Sequence, residues 1–236
     1  METEKLDIVY TLKSGDSGNE IKYSLRSLKN FPHQKVFIYG GCPKWVRNVQ
    51  HIPVEQDRGN KWANTAKLLM SICDNDNISE DFVWFNDDFF VLKPIERLEY
   101  FYDRNLRARV NDFKIILGWN NGNRYTNRLL GASRTLTFAG KNNLNYELHI
   151  PIIFNRKKLK ILIERYPTIG AKRSLYGNFF VNNSTERNDV KIYDMRNVPD
   201  ETWDFVSTSD QSFREGQVGK WIRKKFNRKC EYEKSS

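Results

Sequence analysis

The chain has 236 residues, of which 39% are hydrophobic, and its 39 Lys and Arg against 29 Asp and Glu give a formal net charge of +10. These totals exclude a disordered chain and allow one large domain or two small ones. The positive charge favours polyanionic partners such as nucleic acid, nucleotide phosphates or an anionic glycan, although a merely soluble basic protein has the same balance.

The first 95 residues alternate predicted strands and helices, which is the pattern of a doubly wound nucleotide-binding half. The expected elements are strands at residues 6–11, 35–39 and 49–54, helices at 20–31 and 60–73, and a strand beginning at 82. A strand–loop–helix–strand order predicts parallel pairing with right-handed crossovers.

Residues 96–236 are less regular, and we assign them to an acceptor and catalytic half of the same domain, with a basic C-terminal helix. The expected elements are helices at 95–102, 156–166, 173–181 and 219–226, strands at 115–119, 190–193 and 205–210, and a polar loop at 118–128. Without a linker or repeat, a single domain spanning residues 1–236 is the simplest interpretation.

Two adjacent carboxylates, Asp87 and Asp88, interrupt the apolar run at residues 82–91. Because burying unpaired charges is costly, the predicted strand must end there, with both carboxylates at its carboxyl edge. Ligands bind at that edge of open α/β sheets, and two hard oxygen ligands suit Mg²⁺ or Mn²⁺ bound with substrate phosphates. The alternative is a solvated turn between two strands.

Other residues suit phosphate chemistry, each with a structural alternative. His149 could deprotonate an acceptor hydroxyl or be a structural hydrogen-bonder. Arg128 and Arg173 could clamp phosphates, and Asp210 could be a base or metal ligand, or cap a helix. The sequence contains no GxxxxGK[ST], GxSxG or HExxH motif and no GxGxxG after the first strand, which argues against kinases, hydrolases, zincins and dehydrogenases.

Four blocks, taken in order, resemble the Stealth family of sugar-phosphate transferases, also called capsular polysaccharide phosphotransferases. They comprise residues 7–11 with 19–28, residues 64–66 with 85–90, residues 149–151, and residues 173–176 with 209–210, Phe226 and residues 232–233. The family's first block usually continues with a tryptophan and an Asn/Asp-Gly pair, whereas this chain continues with residues 12–16 as Leu-Lys-Ser-Gly-Asp.

This resemblance implies an α/β fold: a single GT-A-like, Rossmann-like domain with a mostly parallel central sheet flanked by helices. It also implies a nucleotide-sugar donor and a divalent metal, Mg²⁺ or Mn²⁺. The implied site residues are Tyr10 and Thr11 at the donor base and ribose, Asp87 and Asp88 at the metal and pyrophosphate, His149 as base, Arg173 as phosphate clamp and Asp210 as a further catalytic or metal residue. We also assign Arg26, Asn64, Asn86 and Arg128 to donor binding.

Several alternatives for the reaction and its acceptor stay open. The transferred group is a sugar-1-phosphate or a plain sugar, and the acceptor hydroxyl belongs to a glycan or teichoic-type polymer or to a hydroxylated DNA base. A non-enzymatic basic nucleic-acid-binding protein is the remaining alternative. Three cysteines without CxxC spacing, a charged N-terminus and the absence of a long apolar run predict a cytoplasmic protein without a membrane span.

Overall fold

A computed structural model describes residues 5–13, 15, 19–57, 61–117 and 123–234 of the chain. The strands are β1 Leu6–Leu12, β2 His33–Gly40, β3 Gln50–Ile52, β4 Asp81–Phe85, β5 Phe89–Val91, β6 Phe101–Tyr102, β7 Ile152–Asn155, β8 Thr185–Glu186, β9 Lys191–Ile192 and β10 Phe205–Thr208. The helices are α1 Asn19–Ser27, α2 Lys61–Cys73, α3 Leu106–Leu117, α4 Arg124–Phe138, α5 Arg156–Arg165, α6 Lys172–Phe180, α7 Asp210–Arg214 and α8 Gln217–Lys225.

A five-stranded sheet with the order β3-β2-β1-β4-β7 organises the N-terminal part. β1 pairs in parallel with both β2 and β4, and β2 pairs in parallel with β3. Ile8, Val9 and Tyr10 are fully buried, as expected for a central parallel strand covered on both faces. The predicted α/β fold with a mostly parallel central sheet is therefore confirmed.

The strand order places a topological switch point between β1 and β4. The chain leaves β1 to add β2 and then β3 on one side, and it returns to add β4 on the other. Connections that leave in opposite directions open a crevice at the carboxyl ends of the two strands, where α/β proteins bind ligands. The loops after Leu12 and Phe85 therefore border the predicted ligand edge.

Contacts divide the chain into two compact units. The first unit contains residues 1–98, 149–153 and 190–236, and the second contains residues 99–148 and 154–189. The basic C-terminal helix α8, which we expected in an acceptor half, lies in the first unit. The domain limits predicted from the sequence, with halves at 1–95 and 96–236, stay a prediction.

The first unit also contains a three-stranded sheet in the order β5-β10-β9. β10 pairs antiparallel with β5 and parallel with β9. Helices α7 and α8 cover this sheet through a core that includes Phe90, Val206, Phe213, Ile222 and Phe226. The sheet matters for function because β5 begins directly after Asp88.

Three elements predicted between residues 95 and 128 are wrong. Residues 115–117, expected in a strand, are the last turn of α3, and residues 118–119 of that strand lie outside the described part. Residues 124–128, expected in a loop, open α4, whose N-cap Asn123 accepts hydrogen bonds from two backbone amides; the remainder of that loop, residues 118–122, is not described. The predicted helix at 95–102 is wrong as well, since residues 101–102 form β6. No helix within the described ranges is long and apolar enough to cross a membrane.

Candidate active site

The two adjacent carboxylates occupy a tight turn at the carboxyl end of β4. The Phe89 amide donates to the Asn86 carbonyl over 3.3 Å, which closes a turn with Asp87 and Asp88 as its central residues. The flanking Phe85 and Phe89 are buried and anchor the turn in the core. The strand thus ends where the carboxylates begin, beside the switch point, as the sequence predicts.

Asp88 is held by two donors from distant parts of the first unit. Its Oδ2 accepts hydrogen bonds from Lys191 Nζ and from Ser207 Oγ, both over 2.8 Å. The strand register brings Lys191 and Ser207 to Asp88, because Ser207 is paired with Phe89 on one side and with Lys191 on the other. Neither Lys191 nor Ser207 was predicted as a site residue.

A third carboxyl group, that of Glu20, belongs to the same cluster and was missed by the sequence analysis. Thr208 Oγ1 donates to Glu20 Oε1 over 2.6 Å. Burial chiefly, followed by the negative charges of Asp87, Asp88 and Asp210, raises the pKa of Glu20 to about 8, while the bond from Thr208 opposes the rise. Glu20 is therefore mostly protonated at neutral pH. Its position in the first turn of the helix after β1 was the available signal.

Asp210 and His149 also lie in the first unit. Asp210 begins α7 directly after β10, where Ser209 caps the helix, and its charge reaches Glu20. The half-buried His149 ring stands edge-on to Phe89, with the ring centroids 6.5 Å apart. Because Phe89 follows Asp88, the imidazole lies on the residue that closes the acidic turn.

Tyr10 and Thr11, predicted to bind the donor, are at the carboxyl half of β1 and make internal contacts. The Tyr10 side chain is fully buried, and its hydroxyl shares a 2.9 Å hydrogen bond with Ser24 Oγ. Burial raises the pKa of Tyr10 well above its usual value. Thr11 Oγ1 accepts from Trp84 Nε1 over 3.2 Å. Donor contacts by these two residues stay a prediction.

Two further predicted donor residues hold other parts of the first unit together. The Asn64 amide bonds the Asp57 backbone amide and carbonyl, each over 2.8 Å. The Arg26 guanidinium forms a two-pronged ion pair with Glu233 at 2.7 and 2.8 Å and donates to the Phe226 carbonyl. Arg26 therefore ties α1 to the C-terminal segment, and its role toward a donor stays a prediction.

The two remaining predicted arginines lie in the second unit. Arg173 is buried, and its Nη1 donates to the Leu148 carbonyl over 2.8 Å. Arg128 lies against Gly170, where an added Cβ would come within 2.7 Å of Arg128 Nη1. Burial first, and then the charge of Arg124, lower the pKa of Arg128 to about 10.

The carboxylates of the acidic turn are suitable ligands for a divalent metal that is bound together with phosphates. Among the residues that the structure describes, no three His, Cys, Asp or Glu side chains are grouped closely enough to hold a metal. Mg²⁺, however, is usually bound by one or two carboxylates together with substrate phosphates and waters, rather than by a cage of protein ligands. Asp87 and the oxygen Oδ1 of Asp88 meet that requirement.

A parallel sheet with carboxylates at its switch point places them where α/β proteins bind ligands. No family model matches the chain. The chain is 27% identical over 102 residues to the capsular polysaccharide phosphotransferase LcbA of Neisseria meningitidis, and 27% identical over 101 residues to the capsular polysaccharide phosphotransferase fcs1 of Haemophilus influenzae. Each match covers 38% of this chain and only 28% of the relative. The resemblance to capsular polysaccharide phosphotransferases is confirmed as a sequence similarity.

Solved structures of glycosyltransferases are also similar to the chain. The galactosyltransferase LgtC, in complex with donor and acceptor sugar analogues, is 11% identical, with 78% of this chain and 73% of that chain covered and a TM-score of 0.43. The glycosyltransferase GlyE of Streptococcus pneumoniae TIGR4 is 14% identical, with 78% and 45% covered and a TM-score of 0.34.

Proposed function

We propose that the chain is a metal-dependent transferase that moves a sugar or a sugar-1-phosphate from a nucleotide-sugar to an acceptor hydroxyl. The observation that carries the proposal is the acidic turn of Asp87 and Asp88 at the switch point of a parallel sheet, beside Glu20. The similarity to two capsular polysaccharide phosphotransferases supports it.

Asp87 and Asp88 would hold Mg²⁺ or Mn²⁺, which when bound neutralises charge on the donor pyrophosphate. Tyr10 and Thr11 lie near the carboxyl end of β1, the strand paired with β4, so a nucleotide in the switch-point crevice would lie with its base and ribose toward that end of β1. Asn86 opens the turn, and its half-buried side-chain amide would orient a donor hydroxyl or phosphate oxygen.

His149 would accept the proton of the acceptor hydroxyl at one imidazole nitrogen. Its ring stands edge-on to Phe89, beside the acidic turn, and imidazole side chains are suited to proton transfer near neutral pH. Asp210 would act as a further catalytic or metal residue, whereas a phosphate clamp by Arg173 of the second unit rests on the family resemblance alone. A His149→Ala variant that folds normally and keeps full transfer to acceptor, with normal donor binding, would remove the base assignment.

The two chemistries that share this donor leave different nucleotides. In sugar-1-phosphate transfer the acceptor oxygen attacks the sugar-linked phosphorus, the P–O–P bond breaks and a nucleoside monophosphate leaves. In glycosyl transfer the anomeric C–O bond breaks and a nucleoside diphosphate leaves. The relatives are named phosphotransferases, which favours the first. ³¹P NMR of a reaction with Mg²⁺ and a nucleotide-sugar panel distinguishes them: monophosphate supports sugar-phosphate transfer, diphosphate supports glycosyl transfer, and intact donors contradict both.

The acceptor is proposed to be anionic, because the excess positive charge is concentrated in the second unit. Residues 99–148 and 154–189 contain 16 Lys and Arg against 7 Asp and Glu, so nearly all of the net +10 of the chain resides there. Such a charge balance favours a charged glycan or teichoic-type polymer.

A hydroxylated DNA base is the competing acceptor, and a nucleic-acid-binding protein without enzymatic activity is the competing function. Duplex DNA bound with a steep salt dependence, together with donor turnover, would favour the DNA acceptor. The same binding without any donor turnover would favour the non-enzymatic alternative.

A further inference from the structure

Lys191 and Ser207 both bind the same oxygen of Asp88, which is the second residue of the acidic turn. The two donors lie 2.8 Å from Oδ2, and the structure records no contact of these donors with Oδ1. All three side chains are largely buried: the exposed fraction is 12% for the Asp88 side chain and 15% for that of Lys191, and Ser207 is fully buried. The arrangement is therefore fixed inside the fold and is not a surface ion pair.

The backbone fixes both donors, because they lie on adjacent strands in defined register. Ser207 of β10 is paired with Lys191 of β9 and with Phe89 of β5, the residue after Asp88. Short strands in one sheet leave little freedom for either donor to move away from the carboxylate. A buried carboxylate that accepts two hydrogen bonds on one oxygen is held in one orientation.

The same lysine places a positive charge beside an acidic group. Asp87, Asp88 and Asp210 all act electrostatically on Glu20, and Lys191 pairs with Asp88. A cation drawn to the turn in the absence of phosphates meets the ammonium of Lys191 as well as the carboxylates, so the lysine reduces the attraction for a metal ion alone.

We propose that Lys191 is a positioning residue for the metal: together with Ser207 it occupies Oδ2 of Asp88, so that Asp88 offers only Oδ1 as a single-oxygen ligand. The metal then binds weakly to the donor-free protein and firmly only with the donor phosphates. The inference rests on the proposed function and adds to it a residue that no sequence block contains.

The test measures Mn²⁺ binding to the donor-free full chain by the loss of the free Mn²⁺ signal in electron paramagnetic resonance. Lys191→Met keeps the length of the side chain and removes its charge and hydrogen bond. It should tighten Mn²⁺ binding several-fold, because only the Ser207 hydrogen bond then remains on Oδ2 of Asp88, and it should lower kcat for donor turnover. Lys191→Arg keeps the positive charge and a hydrogen-bond donor, so its Mn²⁺ affinity and its kcat should both lie closer to wild type than those of Lys191→Met.

Two further variants separate positioning from a general loss of charge. Lys93→Met removes an exposed lysine of the same unit, which pairs with Asp204 at 3.3 Å, and it should leave Mn²⁺ binding unchanged. In an Asp88→Asn background, Lys191→Met should tighten Mn²⁺ binding much less, because the lysine acts mainly through Asp88 and only its charge repulsion remains. This background also guards against failed folding, since it leaves no unpaired carboxylate when the lysine is removed.

The outcomes distinguish the inference from the proposed function. Wild-type protein that binds Mn²⁺ and turns over a donor, with Lys191→Met unchanged or weaker in Mn²⁺ binding, would overturn the inference and leave the transferase standing. An equal effect of Lys191→Met with and without Asp88 would overturn it too. Wild-type protein that neither binds Mn²⁺ nor consumes any donor would overturn both.

Discussion

Because Glu20 has a raised pKa in the folded protein, its carboxyl group should make the fold less stable as the pH rises. Substitution of Glu20 by glutamine should remove this pH dependence. The pKa of Glu20 rises from 4.5 to about 8 in the folded protein, so between these values the folded state binds more protons than the unfolded state. Stability from this group is present below pH 4.5 and is lost as the pH rises to 8. Between pH 5 and pH 8 the loss is about 4 kcal/mol, at about 1.4 kcal/mol per unit.

The assay is urea unfolding of wild type and Glu20→Gln at several pH values in the presence of EDTA. Glutamine retains an oxygen that can accept from Thr208, and it cannot ionise. The difference in free energy of unfolding, Glu20→Gln minus wild type, should grow by about 4 kcal/mol from pH 5 to pH 8, because other titrating groups cancel in the difference. A difference that stays constant within about 0.5 kcal/mol over that range would refute the buried, protonated carboxyl group.

The other predictions concern packing and the C-terminal segment. Glu233→Ala leaves the buried Arg26 without its two-pronged partner and should destabilise the fold by about 3–5 kcal/mol in urea unfolding, whereas the exposed Glu231→Ala should change it by less than about 0.5 kcal/mol. Gly177→Ala places a Cβ 2.4 Å from the buried Tyr146 ring and should cost about 1–3 kcal/mol, while Gly131→Ala, which has room in α4, should stabilise by up to about 1 kcal/mol. Similar values for the two members of either pair would contradict the packing described.

Much of the first unit could be predicted because its strands are short, buried and separated by turn residues. The parallel order of β1, β2 and β4 follows from alternating strands and helices, and the end of β4 follows from the cost of burying Asp87 and Asp88. These features depend on local sequence or on neighbouring elements, so they can be predicted directly from the sequence.

The second unit was harder because its helices do not carry strong local signals. Ile115, Ile116 and Leu117 have the composition of a strand, yet they close a helix whose earlier residues Leu106 and Val110 are buried one turn apart. The amide and arginine residues at the start of α4 suggest a loop. The segment is nevertheless helical, because a narrow apolar stripe of the helix packs against the rest of the fold.

The site residues that the sequence missed are joined only by long-range register. Lys191 and Ser207 reach Asp88 from more than 100 positions away, through the pairing of three short strands. Glu20 is closer to β1, but its raised pKa depends first on burial and then on the charges of Asp87, Asp88 and Asp210, which come from distant segments. No local sequence pattern predicts these long-range contacts, because strand pairing between distant segments is set by the whole fold.

The most direct test of the transferase account is thermal unfolding of the full chain with a panel of nucleotide-sugars, each with and without Mn²⁺, for wild type and Asp88→Asn. A ligand at 100 times its Kd adds about 2.7 kcal/mol, which corresponds to a rise in Tm of about 5–10 °C for a chain of this size. The account predicts such a rise with one donor, only when Mn²⁺ is present, and its loss in Asp88→Asn. No rise with any donor, or an equal rise in the variant, would contradict a donor and metal site at the acidic turn.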